Sequence, residues 1–211
     1  SALYEKRWST IERVLVVCIV VVANLILWYR LINLNPQFMD PPWTHHHQYH
    51  KLAVAISQGE VSIPIGIEED LALIENPYDY TVRQNSVPNV NRGWDTAFYE
   101  GKFYVYFGVV PVLLFYLPFY ILTGNAFPTW LGIFLAGAAV LLGMFYLIKQ
   151  IVRRHFPNTP FLLRVILSVI AGNCMSTFMF MMRPDFYSLP ILCAMAFSVW
   201  GLGLWISAAE A

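Results

Sequence analysis

VLVVCIVVVANLILWYRLINL, residues 14–34, decides the fold. It is apolar almost without interruption, and about 20 such residues cross a bilayer core. Lys6, Arg7 and Arg13 precede it, and flanking Lys and Arg favour the cytoplasm. The run ends in Trp28, Tyr29 and Arg30 rather than a small-residue cleavage site, so it reads as a retained span and not a signal peptide. The amino terminus, 1–13, is thereby predicted inside and the segment that follows outside.

The rest of the chain agrees with a membrane solvent. Hydrophobic residues make up 58% of the 211 positions and charged residues 12%, about half the charged share of a soluble domain. Net charge is zero, which gives no footprint for nucleic acid. Cys18, Cys174 and Cys193 all fall in apolar runs and suit packing rather than disulfides or a zinc set. Further apolar segments at 128–148, 160–182 and 187–208 predict an all-α polytopic membrane protein with four or five hydrophobic segments. The ends of the chain, Ser1 and Ser207-Ala-Ala-Glu-Ala211, suit a piece of a longer polytopic protein.

The stretch 105–123 is apolar enough to cross but is interrupted by Gly108, Pro111 and Pro118. It is either transmembrane or re-entrant. If it crosses, loop 149–159, with Lys149, Arg153, Arg154 and His155, falls outside. If it does not, that basic loop lies inside, as the charge bias prefers.

Between the first span and this stretch lies a long polar loop, 35–104, predicted extracytoplasmic. Nine of the 13 acidic residues fall between Asp40 and Glu100, so the loop and not the spans carries the chemistry. Asp40-Pro41-Pro42 halts the chain, and Thr44 can cap a helix over 44–58 that ends before Gly59. Tyr49, Leu52, Ala53 and Ile56 share one face of it, which suits a helix lying on the membrane surface. Aromatic and β-branched residues flank Glu100-Gly101, predicting a short hairpin.

Each polar cluster carries a chemical and a structural reading. Asp40, at the water boundary, can act as a base toward a hydroxyl or help hold a divalent cation beside a phosphate; it can also simply end a helix. His45, His46, His47 and His50 form an imidazole cluster in which His46 and His50 are one helical turn apart. A zinc site needs three or four ligands, and neither a cysteine nor an HExxH glutamate is near, so the sequence assigns no metal ligands. Hydrogen bonding to phosphate or sugar, or the polar face of a helix, suits these histidines better. Trp94-Asp95 matches a sugar-binding pair, with ring against the sugar face and acid accepting hydroxyls, and equally an interfacial belt. Lys102 can reach a phosphate as a point charge. Arg183-Pro-Asp185 joins two apolar segments and either stays solvated or contacts an anionic ligand. GxGxxG, Walker and GxSxG signatures are missing, and the spans hold too few polar groups, chiefly Asn24, Asn173 and Ser176, for a transport path.

The order of these parts resembles the GT-C superfamily of polytopic glycosyltransferases, in particular the protein O-mannosyltransferase and aminoarabinose transferase group. The likeness rests on an acid after the first span (Asp40), the helix containing His46-His-Gln-Tyr-His-Lys, Trp94-Asp95, and Tyr99-Glu-Gly-Lys-Phe-Tyr-Val-Tyr106 running to Val110-Pro111. It covers 14–208 and corresponds to an amino-terminal portion of such enzymes. The paired acid beside Asp40 is replaced by Pro41, and one proline stands where two are usual. The resemblance implies transfer of a sugar from a polyprenyl-phosphate donor to an acceptor on the outer face. Asp40 would then be catalytic, and His46, His47, His50, Trp94, Asp95, Lys102, Tyr106, Arg183 and Asp185 would bind substrate. A membrane lipid would accompany the donor. The competing expectation is a non-catalytic module that binds a lipid or protein through the same loop.

Overall fold

The computed structural model describes residues 9–34, 48–86, 95–174 and 177–209. The chain is mostly helical and divides into two compact units, one from 1–40 with 129–211 and one from 41–128.

The first unit holds α1 (Thr10–Asn33), α6 (Thr129–His155), α7 (Phe161–Cys174), α8 (Thr177–Met182) and α9 (Ser188–Ala208). Of these, α1, α6 and α9 are long and apolar enough to cross a membrane. At 1.5 Å per residue even α9, the shortest of the three, spans about 32 Å against a core of about 30 Å. Helix α1 begins before its apolar run because Ser9 and Glu12 form a capping box: Glu12 N–H donates to Ser9 Oγ at 3.2 Å, and Ser9 N–H to Glu12 Oε2 at 2.8 Å. The fourth apolar stretch, expected as a single span over 160–182, is helical on both sides of residues 175 and 176, which lie outside the described residues. It is described as a 14-residue helix, α7, and a 6-residue helix, α8. Helix α7 alone reaches about 21 Å, short of a full crossing.

Contacts fix the helix directions within this unit. Thr10, Arg13 and Val17 of α1 line one cavity with Phe145, Tyr146 and Lys149 near the end of α6. Trp28, near the end of α1, packs against Gly137 near the start of α6. Those two helices are therefore antiparallel. Helix α7 runs with α1, since Phe161 lies under Arg13 (5.8 Å) and Asn173 bonds Trp28 and Asn24. Helix α9 runs with α6, because Val199 and Trp200 meet Gly143 while Gly203 meets Tyr146 and Leu147. The chain thus leaves this unit after α1 and re-enters at α6 from the same end of the bundle.

The interior is made of Trp28, Ile32, Ile133, Val140, Leu141, Met181, Leu189 and Leu192, all fully buried. Against lipid, apolar burial supplies little drive, so close approach and hydrogen bonds matter more. Both are present. Glycines on α6 and α9 admit Trp200 and Tyr146, whose rings stack with centroids 5.5 Å apart, and Trp200 Nε1 donates to Ala139 O at 2.9 Å.

The second unit holds α2 (Gln48–Ser57), α3 (Glu68–Ala72), α4 (Tyr80–Ser86), β1 (Ala97–Tyr99), β2 (Lys102–Tyr104) and α5 (Val112–Thr123). The strands pair antiparallel, Phe98 opposite Phe103, with Glu100 and Gly101 both at positive φ in the turn. Helix α2 buries Tyr49, Leu52, Ala53 and Ala55, and its packing partner is α5. Tyr49 meets Tyr116 of α5 with ring centroids 5.6 Å apart.

Helix α5 opens with a π-helical turn, Val112–Tyr116, in which Leu117 N–H reaches back to Val112 O. Pro118 has no N–H to continue the regular ladder, which accounts for the wider turn at that place. With 12 residues, α5 extends about 18 Å and cannot cross a bilayer core alone. Its outer side is apolar, with Leu113, Leu114, Ile121 and Leu122 exposed.

Candidate functional site

The second unit contains a cleft of about 420 Å3, within the size range of small-ligand sites. Its construction begins at the end of α2. Gly59 (φ +82°) closes the helix in a Schellman motif: Glu60 N–H donates to Ala55 O at 2.9 Å and Gly59 N–H to Ile56 O at 3.0 Å. The reversed chain then joins the hairpin, where Ile63 N–H donates to Phe103 O at 2.8 Å. Three elements now face one space: α2 with His50 and Lys51, the return segment with Glu60, Ser62 and Glu68, and the hairpin with Lys102.

The floor is apolar and fixed. Ile63 and Phe103 are buried, and Phe103 packs on Phe98 with centroids 4.9 Å apart. The walls are polar. His50 stands edge-on to Tyr120 at 5.7 Å, which sets the plane of its ring. Lys51 Nζ donates to Pro64 O at 3.3 Å. Lys102 Nζ lies 3.9 Å from Glu60 Oε2, and more than half of each side chain is exposed. Such a pair contributes little to stability and parts readily when a stronger anion arrives.

Glu68 is committed elsewhere. Its carboxylate accepts the N–H groups of Ile65 (2.6 Å) and Gly66 (2.7 Å). Partial burial acts to raise its pKa, but these backbone donors outweigh it and hold the group below 4.5, its ordinary value. It is a brace for the return segment. The cleft therefore presents three basic side chains, His50, Lys51 and Lys102, around an apolar floor, a lining suited to an anion attached to a flat or hydroxylated body.

The structure brings His50 and Lys102 to one cleft and joins two other pairs of candidates separately. Tyr106 Oη donates to Asp95 Oδ1 at 3.3 Å. Desolvation and the neighbouring Asp95 charge both push the Tyr106 phenol above its ordinary value. Asp95 holds φ +55°, a left-handed conformation that Asp tolerates better than most residues. Arg183 and Asp185 belong to the other unit, at the turn into α9. Arg183 Nε lies 3.4 Å from Asp185 Oδ2, and Asp185 Oδ1 accepts Ser188 N–H (3.1 Å) and Ser188 Oγ–H (2.9 Å). Asp185 thus satisfies the first backbone N–H of α9, that of Ser188.

Asp40, His45, His46, His47 and Trp94 lie outside the described residues, as does Thr44. Among the described residues, no three His, Cys, Asp or Glu side chains form a group able to hold a metal ion. Lys51, Glu60, Ser62 and Glu68 line the cleft without having been singled out from the sequence. Gly59 was the available signal, because a glycine closing a helix folds the following residues back along it. Comparison with protein-family models, with curated proteins and with solved structures found no match for this chain.

Proposed function

We propose that this chain is part of a membrane glycosyltransferase that takes a sugar from a polyprenyl-phosphate donor on the extracytoplasmic face. The observation that supports this reading is the shared cleft of His50, Lys51 and Lys102 above Ile63 and Phe103. Those nitrogens suit the phosphate that leaves when the sugar is transferred, and stabilising that leaving charge is the largest catalytic contribution in such a step. Asp40, placed by sequence just after the first span, would orient or deprotonate the acceptor hydroxyl. A divalent ion beside Asp40 belongs to the same reading.

The charge distribution supports the side. Arg13, Lys149, Arg153, Arg154 and Arg164 belong to the bundle end where α1 and α7 begin and α6 finishes. The positive-inside bias assigns that end to the cytoplasm. The 34–128 segment then starts and ends outside, and α5 does not cross the membrane.

One observation favours the alternative, a module that binds a lipid-linked anion without chemistry. Within the cleft, Glu68 is occupied by backbone donors and Glu60 faces Lys102, so neither is set up as a base. The two readings part in one assay. Membranes carrying the protein, within its full-length chain, are supplied with polyprenyl-phosphate sugars and acceptor, comparing wild type with Asp40→Asn and Lys102→Ala. Transfer abolished by Asp40→Asn and lowered about tenfold or more by Lys102→Ala, the loss of one charge-assisted contact, supports catalysis. Donor binding that survives Asp40→Asn, with no transfer by either protein, identifies the binding module.

A further inference from the structure

The first unit has a second cavity, also about 420 Å3, between the start of α1, the end of α6 and the start of α7. It lies apart from the cleft and from every residue proposed above to bind substrate. Its lining is graded along the bundle. At the mouth stand Arg13, Lys149 and Arg164, one cation from each helix. Deeper in, Val14, Val17, Phe145 and Val165 make an apolar wall. Among the described residues no carboxylate lines it; the Glu12 carboxylate accepts the Ser9 N–H.

Two of the cations are held in place. Arg164 Nε donates to Thr159 O (2.9 Å) and Nη2 to Pro157 O (3.0 Å), which fixes the plane of the guanidinium with further N–H donors to spare. The Arg13 guanidinium carbon lies 5.8 Å from the centre of the Phe161 ring, a cation–π contact that limits its swing. Three cations drawn to one mouth repel one another, and an anion seated among them relieves that repulsion.

A soluble anion would use the mouth and leave the apolar depth wet. An amphiphile fills both. We propose that this cavity binds one anionic phospholipid, its headgroup phosphate between Arg13, Lys149 and Arg164 and an acyl chain along Val14, Val17 and Phe145. Charge complementarity carries the choice: a zwitterionic headgroup would bring a fourth cation into a site that already holds three. The proposal stands independently of glycosyl transfer.

The test uses the whole chain purified in a neutral detergent, with lipid binding read by native mass spectrometry and by thermal unfolding. Phosphatidylglycerol should bind saturably and raise the unfolding temperature, while phosphatidylcholine should do neither at equal concentration. Arg13→Gln and Lys149→Gln, at exposed positions that leave the helix intact, should each weaken phosphatidylglycerol binding about fivefold, the effect of one cation near an anionic lipid surface. Arg154→Gln, outside the cavity on the same helix as Lys149, should leave it within twofold. Equal binding of the two lipids overturns the proposal. So does equal loss from Arg154→Gln and Lys149→Gln, which would mean diffuse attraction. Glycerol phosphate matching the lipid's effect would also overturn it, since the acyl chain would then contribute nothing.

Discussion

Trp28 on α1 donates its indole N–H to Asn173 Oδ1 on α7 over 3.0 Å, although the two lie at opposite ends of the sequence. Asn173 Nδ2 then donates to Asn24 Oδ1 at 2.9 Å, so one side chain closes two bonds across the same helix pair. In lipid such bonds average about 0.6 kcal/mol each by double-mutant cycles. Asn173→Ala should therefore cost about 1 kcal/mol of stability in bilayer or detergent. A cycle of Trp28→Phe with Asn173→Ala should return a coupling of about 0.6 kcal/mol. Zero coupling would show that the indole contributes by packing alone.

Two glycines on one helix have different surroundings. A Cβ on Gly203 would stand 2.6 Å from the Tyr146 ring and 3.6 Å from the Leu147 backbone, whereas one on Gly201 meets nothing within 4 Å. Gly203→Ala should destabilise by about 1–3 kcal/mol through overpacking at the α6–α9 contact. Gly201→Ala should be neutral or mildly stabilising, because alanine is the better helix former. Unfolding of the two variants in parallel checks this, and equal behaviour would mean that α9 does not pack on α6 through this face.

The spans were readable because a membrane imposes a one-dimensional signal: continuous apolar length with few charges. Residues 14–34 carry it unaided, and the capping pair Ser9 and Glu12, only three residues apart, extends the helix to Thr10. The cleft was readable only in part. His50 and Lys102 stand out as charge-bearing groups in an aromatic setting. Their meeting depends on the reversal at Gly59 and on the Ile63–Phe103 backbone bond, a pairing between distant segments that no local pattern encodes. Glu68 was illegible as a brace for a related reason: it sits among three consecutive acids, Glu68, Glu69 and Asp70, and only the backbone path selects the one that bonds Ile65 and Gly66.

That brace gives a pH dependence with a definite sign. The folded-state pKa of Glu68 is lowered, so its ionised form is the one the fold favours. Its stabilising contribution is complete above its unfolded value, ordinarily 4.5, and is lost as pH falls through the lower folded value. Amide exchange at Ile65 and Gly66 should thus be protected at neutral pH and progressively lose its protection in acid below that ordinary value. Glu68→Gln should have weaker protection at neutral pH and a flatter pH response. A variant that still loses protection in acid as the wild type does would assign the effect to another carboxylate.

Topology can be tested directly, because α1 and α6 run antiparallel in the bundle while α5 is too short to cross. If both connections to the 34–128 segment leave one end, Ser57 near the end of α2 and Asn125 after α5 must be accessible from one side of the membrane. Asn158, between α6 and α7, must be accessible from the other. With the three native cysteines replaced by serine, single cysteines at these positions are treated with a membrane-impermeant maleimide on intact cells. Positions 57 and 125 should label from outside, and 158 only after the membrane is opened. Labelling of 158 together with 57 from outside would require α5 and its flanks to carry the chain across. The antiparallel packing of α1 with α6 could not then exist in the membrane.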